Sequence, residues 1–121
     1  MPVRSLRSSV LAWPDRPSVD SAARAWAIAQ SKCRRDVVRI GYFGSYARDD
    51  WGVGSDLDVV VVLRSSREPF ERRAAGWDTE SLPVPVDLLV YTESEWQRLL
   101  ADGGRFGRTL TRETLWVYPA D

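Results

Sequence analysis

Apolar residues recur along this chain in two rhythms. From Val19 to Cys33 the positions Val19, Ala22, Ala23, Trp26, Ala27, Gln30 and Cys33 fall three to four apart, which predicts a helix with one mostly apolar face. Pro17-Ser18 opens it, with Ser18 as N-cap and Asp20 in the first turn, and Lys32, Arg34 and Arg35 close it, where cations suit the helix dipole. The stretches "VVRIGYF" (37–43) and "LDVVVVL" (57–63) are β-branched runs and read as strands. The second is continuous after Asp58 rather than alternating, so both of its faces should be covered. Beyond Pro69, the spacing of Phe70, Arg73, Ala74 and Trp77 predicts a short helix. "VPVDLLVY" (84–91) is a third strand, with Pro85 marking a strand start or an edge. Thr92 with Glu95 forms a capping box for a helix carrying Trp96, Leu99 and Leu100, which Gly103-Gly104 stops. The tail 105–118 reads as a helix followed by a strand over Leu115–Tyr118. Residues 1–17 fit an extended arm or a short helix. This order predicts an α/β (α+β) fold, a small mixed β-sheet with helices packed on it. A length of 121 residues, with no repeat and no linker, fits a single domain over 1–121.

Composition narrows the chemistry. The chain has no histidine and a single cysteine, Cys33, so His-dependent triads, imidazole bases, an internal disulfide and a Cys-rich zinc site are all excluded. Carboxylates, hydroxyls, arginines and backbone amides remain, and such hard oxygen donors suit magnesium or manganese. Seventeen basic side chains balance seventeen acidic ones, but residues 1–48 carry about +6 and residues 49–121 about −6. That split suits an anionic ligand bridged by cations, and equally suits two halves that neutralise each other in the fold. No stretch approaches a membrane span and none resembles a signal peptide, so a soluble cytoplasmic protein is expected. No basic-aromatic interleaving points to direct nucleic-acid binding.

Candidate chemistry gathers in "GSYARDDWGVGSDLD", residues 44–58. Asp56 and Asp58 stand two apart at the mouth of the most hydrophobic strand and so aim to one side. Held side by side they repel, and a divalent cation turns that penalty into binding. Asp87 lies near the start of another strand; if the two strands are neighbours, a third carboxylate joins the pair, and three can hold two magnesium ions. Gly44-Ser45 follows a strand and precedes "YARD", so a glycine turn and helix start would offer N–H groups and the Ser45 hydroxyl to an anion. Singly, each feature has a plainer reading: a strand-ending turn, a solvated strand start, an ordinary strand aspartate. Arg48 fits a phosphate contact or an ion pair with Asp49, Asp50 or Asp56. Trp51 fits stacking on a base, or packing on the core or a partner.

Together, "GYFGSYARDDWGVGSDLDVVVVL" and "PVDLLV" resemble the active-site signature of the DNA polymerase β-like nucleotidyltransferase superfamily. The tail "RFGRTLTRETLWVY" is similar to the terminal helix and strand of its minimal, single-domain members, the MNT type. The resemblance implies Asp56, Asp58 and Asp87 as metal-binding catalytic carboxylates, and Gly44, Ser45 and Arg48 as the nucleotide-binding end. It implies two Mg²⁺ ions (or Mn²⁺), with ATP as substrate. An acceptor hydroxyl would attack the α-phosphorus, with Asp87 helping to deprotonate it, and pyrophosphate would leave. Minimal members resemble antitoxins paired with a helical HEPN-type toxin, on which a tyrosine receives AMP; that role is implied here. The alternative is a non-catalytic nucleotide-binding module that neutralises its partner by contact alone. The sequence departs from the family where Asp49 and Asp50 follow Arg48 in place of glycine, and Gly52 and Gly54 are expected to take over that turn.

Overall fold

The computed structural model describes residues 13–120. Most of the arm expected over 1–17 therefore lies outside the described residues. Helix α1 runs from Arg16 to Cys33, followed by β1 (Val37–Phe43), the short α2 (Ser45–Arg48), β2 (Leu57–Leu63), α3 (Phe70–Arg73) and a 3-10 turn (Ala74–Gly76). The chain continues with β3 (Val86–Thr92), α4 (Glu93–Ala101), α5 (Arg105–Glu113) and β4 (Leu115–Tyr118). The four strands form one sheet in the order β3-β2-β1-β4. β1 is antiparallel to both β2 and β4, whereas β2 and β3 are parallel. The mixed sheet expected from the sequence is thus present.

β2 is central and its two faces meet different layers. Leu57, Val59, Val61 and Leu63 belong to a core shared with Val19, Ala23, Trp26 and Ala27 of α1. Val60 and Val62 pack with Trp96 of α4 and Leu110 of α5 on the opposite side. A strand covered on both faces needs no polar alternation, which explains the unbroken valine run. The apolar face of α1 is shorter than its periodicity suggests, because Cys33 is exposed at the C-terminal end. Its N-cap is Asp15, whose Oδ1 accepts the Ser18 N–H at 3.0 Å, with Pro17 inside the first turn. Ser18 is therefore not the cap, and Asp20 instead accepts the Tyr42 hydroxyl at 2.7 Å and Arg24 at 2.8 Å. Proline fits the first turn because its missing N–H would have had no helical partner, so the helix begins earlier than the Pro-Ser pair implies.

The β2–β3 crossover is fastened by one buried cation. Arg73 bonds Glu95 at 2.5 and 3.1 Å, the Val90 carbonyl at 3.1 Å and the Glu68 carbonyl at 2.8 Å. Of the residues spaced for a helix there, Phe70 is exposed and Trp77 is buried against Trp26. Thr92 and Glu95 form the expected capping box. α4 and α5 then pack so closely that a Cβ on Gly107 would stand 2.6 Å from the Leu99 carbonyl oxygen. Among the described residues, no helix is long and apolar enough to cross a membrane.

Candidate active site

Strand polarity decides what meets at one rim of the sheet. β1 runs opposite to β2, and β3 runs with β2, so the C-terminal end of β1 lies beside the N-terminal ends of β2 and β3. Asp58 is the register partner of Phe43 on one side and of Asp87 on the other. The two strands carrying carboxylates are neighbours, as the third-carboxylate expectation requires. Asp56 sits just before β2, exposed, and near enough to Asp58 for its charge to raise that carboxyl. The Leu57 N–H donates to the Pro85 carbonyl at 2.8 Å and fixes the two strand starts together.

Gly44 follows β1 directly, with φ +80° and ψ −151°, a conformation that side-chain-bearing residues rarely adopt. A Cβ there would also overlap Oδ2 of Asp58, so glycine serves both the turn and the carboxylate packed on it. α2 starts at Ser45 and is anchored by Tyr46, which is fully buried, receives Trp13 Nε1–H at 3.0 Å and donates to the Pro14 carbonyl at 2.9 Å. Trp51 stacks on Tyr46 with ring centroids 5.5 Å apart and planes 7° from parallel. Half-buried in the core, Trp51 takes the packing role of its two candidate roles. Asp49 caps α2 in the left-handed region at φ +63°. The turn that glycine makes in the resembled family is therefore made by Asp49 itself, rather than handed to Gly52 and Gly54, although Gly54 also has a positive φ. Aspartate tolerates this region better than most residues because its short polar side chain bonds locally.

The electrostatics are lopsided. Burial, then the charges of Asp87 and Asp56, push the Asp58 carboxyl up to about 6, Glu113 adding to the effect and Arg48 opposing it. Arg48 bonds Asp50 through Nε at 3.0 Å and Glu113 through Nη1 at 3.1 Å. Ion pairing with Asp50 was among the expected options; pairing with Glu113 was not. Glu113 Oε1 also accepts the Gly44 N–H at 3.0 Å. Glu113 is thus a described residue of this rim that motif spacing leaves out. Its position gave a signal of another kind: a lone carboxylate in the last turn of a helix otherwise carrying Arg105, Arg108 and Arg112. A helix dipole disfavours negative charge there, so such a residue needs a partner elsewhere.

Among the described residues, no group of three or more acidic, His or Cys side chains is gathered closely enough to hold a metal ion alone. The donor set nonetheless fits a hard divalent cation. Burial first, and then the charges of Asp87 and Asp56, raise the Asp58 carboxyl, and a cation relieves the repulsive part of that shift. Magnesium characteristically takes one or two carboxylates and fills its remaining positions with water and substrate phosphates, so an all-protein cage is not required.

Comparison with known proteins agrees with this geometry. The sequence pattern of the nucleotidyltransferase domain matches residues 25–108, from α1 through the first turn of α5. In structure the chain is similar to a "putative nucleotidyltransferase" from Sulfolobus solfataricus, with a TM-score of 0.59 and 18% identity, over 84% of this chain and 80% of that one. At that identity the likeness speaks for the fold. Comparison with curated proteins gave no match. Because the domain pattern spans well over half of the chain and both carboxylate strands within it, this protein belongs to the nucleotidyltransferase domain family.

Proposed function

We propose that the domain transfers AMP from ATP, with Mg²⁺, to a hydroxyl on a partner protein, in the manner of an MNT-type antitoxin acting on a tyrosine of a helical HEPN-type toxin. The observation that carries the transfer reading is the register Asp58–Asp87 beside the Gly44 turn. It sets a carboxylate pair suited to metal against a turn suited to phosphate. Asp56, Asp58 and Asp87 would hold the metal, which supplies charge neutralisation for the attacking and leaving oxygens of an in-line displacement. Gly44, Ser45 and Arg48 would take the outer phosphates. Asp87, exposed at the rim, is placed to accept the acceptor's proton. The new bond joins the acceptor oxygen to the α-phosphorus, and the bond to pyrophosphate breaks. The protein acceptor rests on the likeness of the tail to minimal members of the family that modify a partner protein.

The test mixes the protein with α-labelled ATP, Mg²⁺ and a small helical HEPN-type protein, then looks for label on the partner. Label that disappears when Asp56 and Asp58 are both changed to Ala is the expected outcome. Absence of label with the unmodified protein counts against protein adenylylation. A partner silenced equally by the double variant points to neutralisation by contact.

A further inference from the structure

One oxygen, Oε1 of Glu113, accepts both the Gly44 N–H at 3.0 Å and Arg48 Nη1–H at 3.1 Å. A backbone amide beside a glycine turn and a guanidinium N–H converging on one anionic oxygen is the bonding a phosphate oxygen receives. Glu113 reaches this place against the dipole of its own helix and among aspartates that repel it. Its side chain is only about a fifth exposed, while that of Arg48 is 47% exposed, so the carboxylate lies inside the rim and the cation lies at its opening. We infer that Glu113 is an internal stand-in for a nucleotide phosphate: in the free protein it occupies the Gly44 amide and Arg48, and the triphosphate must displace it to bind.

The inference rests on the reading that Gly44, Ser45 and Arg48 take phosphate, and it adds a positioning residue to that site. Two consequences follow from charge alone. A bare triphosphate must dislodge Glu113 while facing Asp56, Asp58 and Asp87, so the metal complex is strongly preferred over the free anion. When the phosphates depart, Glu113 reclaims its two donors, which speeds the release of pyrophosphate.

Calorimetric titration with inorganic triphosphate and Mg²⁺ tests this on the unmodified protein and on Glu113→Gln. The amide keeps the shape and the acceptor oxygen but loses the charge. The expected result is tighter binding by Glu113→Gln, about five-fold or more, with a melting temperature no higher than that of the unmodified protein. A merely structural Glu113 would move affinity and stability down together. If the unmodified protein binds and Glu113→Gln binds equally or more weakly, the inference is overturned while the site reading stands. If neither protein binds, both fall. Should Glu113→Gln not fold, the side-chain carboxyl resonance of Glu113 in the unmodified protein decides. It must shift as triphosphate saturates the site, and a resonance that stays put overturns the inference.

Discussion

Asp58 is raised from the ordinary value of 3.8 to about 6, so between those values the unfolded chain releases a proton that the folded chain keeps. Without metal, stability therefore falls as pH rises through that window and levels off above about 6. Asp58→Asn removes the slope. In chelator at pH 8 it is expected to melt above the unmodified protein, and to lose nucleotidyl transfer. Thermal melts from pH 4 to 8 check this, and an unchanged slope would contradict it. Asp49 offers a second single-residue test. Relieving its left-handed backbone with Asp49→Gly should stabilise the fold by up to about 1 kcal/mol in denaturant titration, since glycine's gain there is partly offset by its freedom when unfolded. At this scale, spacing alone paired Asp56 with Asp58, because alternation in a strand is a local rule, while Asp87 joined them only on condition that its strand was a neighbour. Glu113 joins Gly44 from the far end of the chain, and no local rule links those positions.

Elements were legible where periodicity and capping agreed. The capping box at Thr92, the valine strand and the tail helix all formed as expected, since each is decided within a few residues. The start of α1 was not, because Asp15 competes with Ser18 as a cap and wins by bonding the Ser18 N–H. The short helix after Pro69 was legible in place but not in purpose. Its spacing marks Arg73 as one more face position, yet Arg73 is the buried anchor of the crossover. Glu95, its partner, is held down to about 2, first by the bond to Arg73. That pair contributes its full stability above the ordinary carboxylate value of 4.5 and loses it as pH falls toward about 2. Glu95→Ala strands a buried guanidinium and removes one of the two bonds of the capping box, so a loss of about 3 kcal/mol in urea titration at neutral pH is expected. Gly107→Ala forces α4 and α5 apart and should cost about 1–3 kcal/mol by the same measurement, despite alanine's better helix propensity.

The fold brings the Gly44 turn, the starts of β2 and β3 and the end of α5 to one rim, where the charges of Asp56, Asp87 and Glu113 all raise Asp58. ATP with Mg²⁺ should therefore raise the melting temperature, equivalent to about 2.7 kcal/mol at a hundred-fold excess over the dissociation constant. The shift should vanish in Asp56→Ala/Asp58→Ala, as differential scanning fluorimetry would show. The mixed sheet also has a temporal meaning. β1 and β2 pair across a short connection, but the parallel pairing of β2 with β3 waits for the whole crossover between them to close. Asp58 and Asp87 are thus expected to become neighbours late in folding. On that expectation, a ligand that bridges them acts on a contact made after the transition state. Bound nucleotide and metal are expected to slow unfolding and leave the refolding rate nearly unchanged in stopped-flow experiments, so the occupied site works as a latch on a sheet already built.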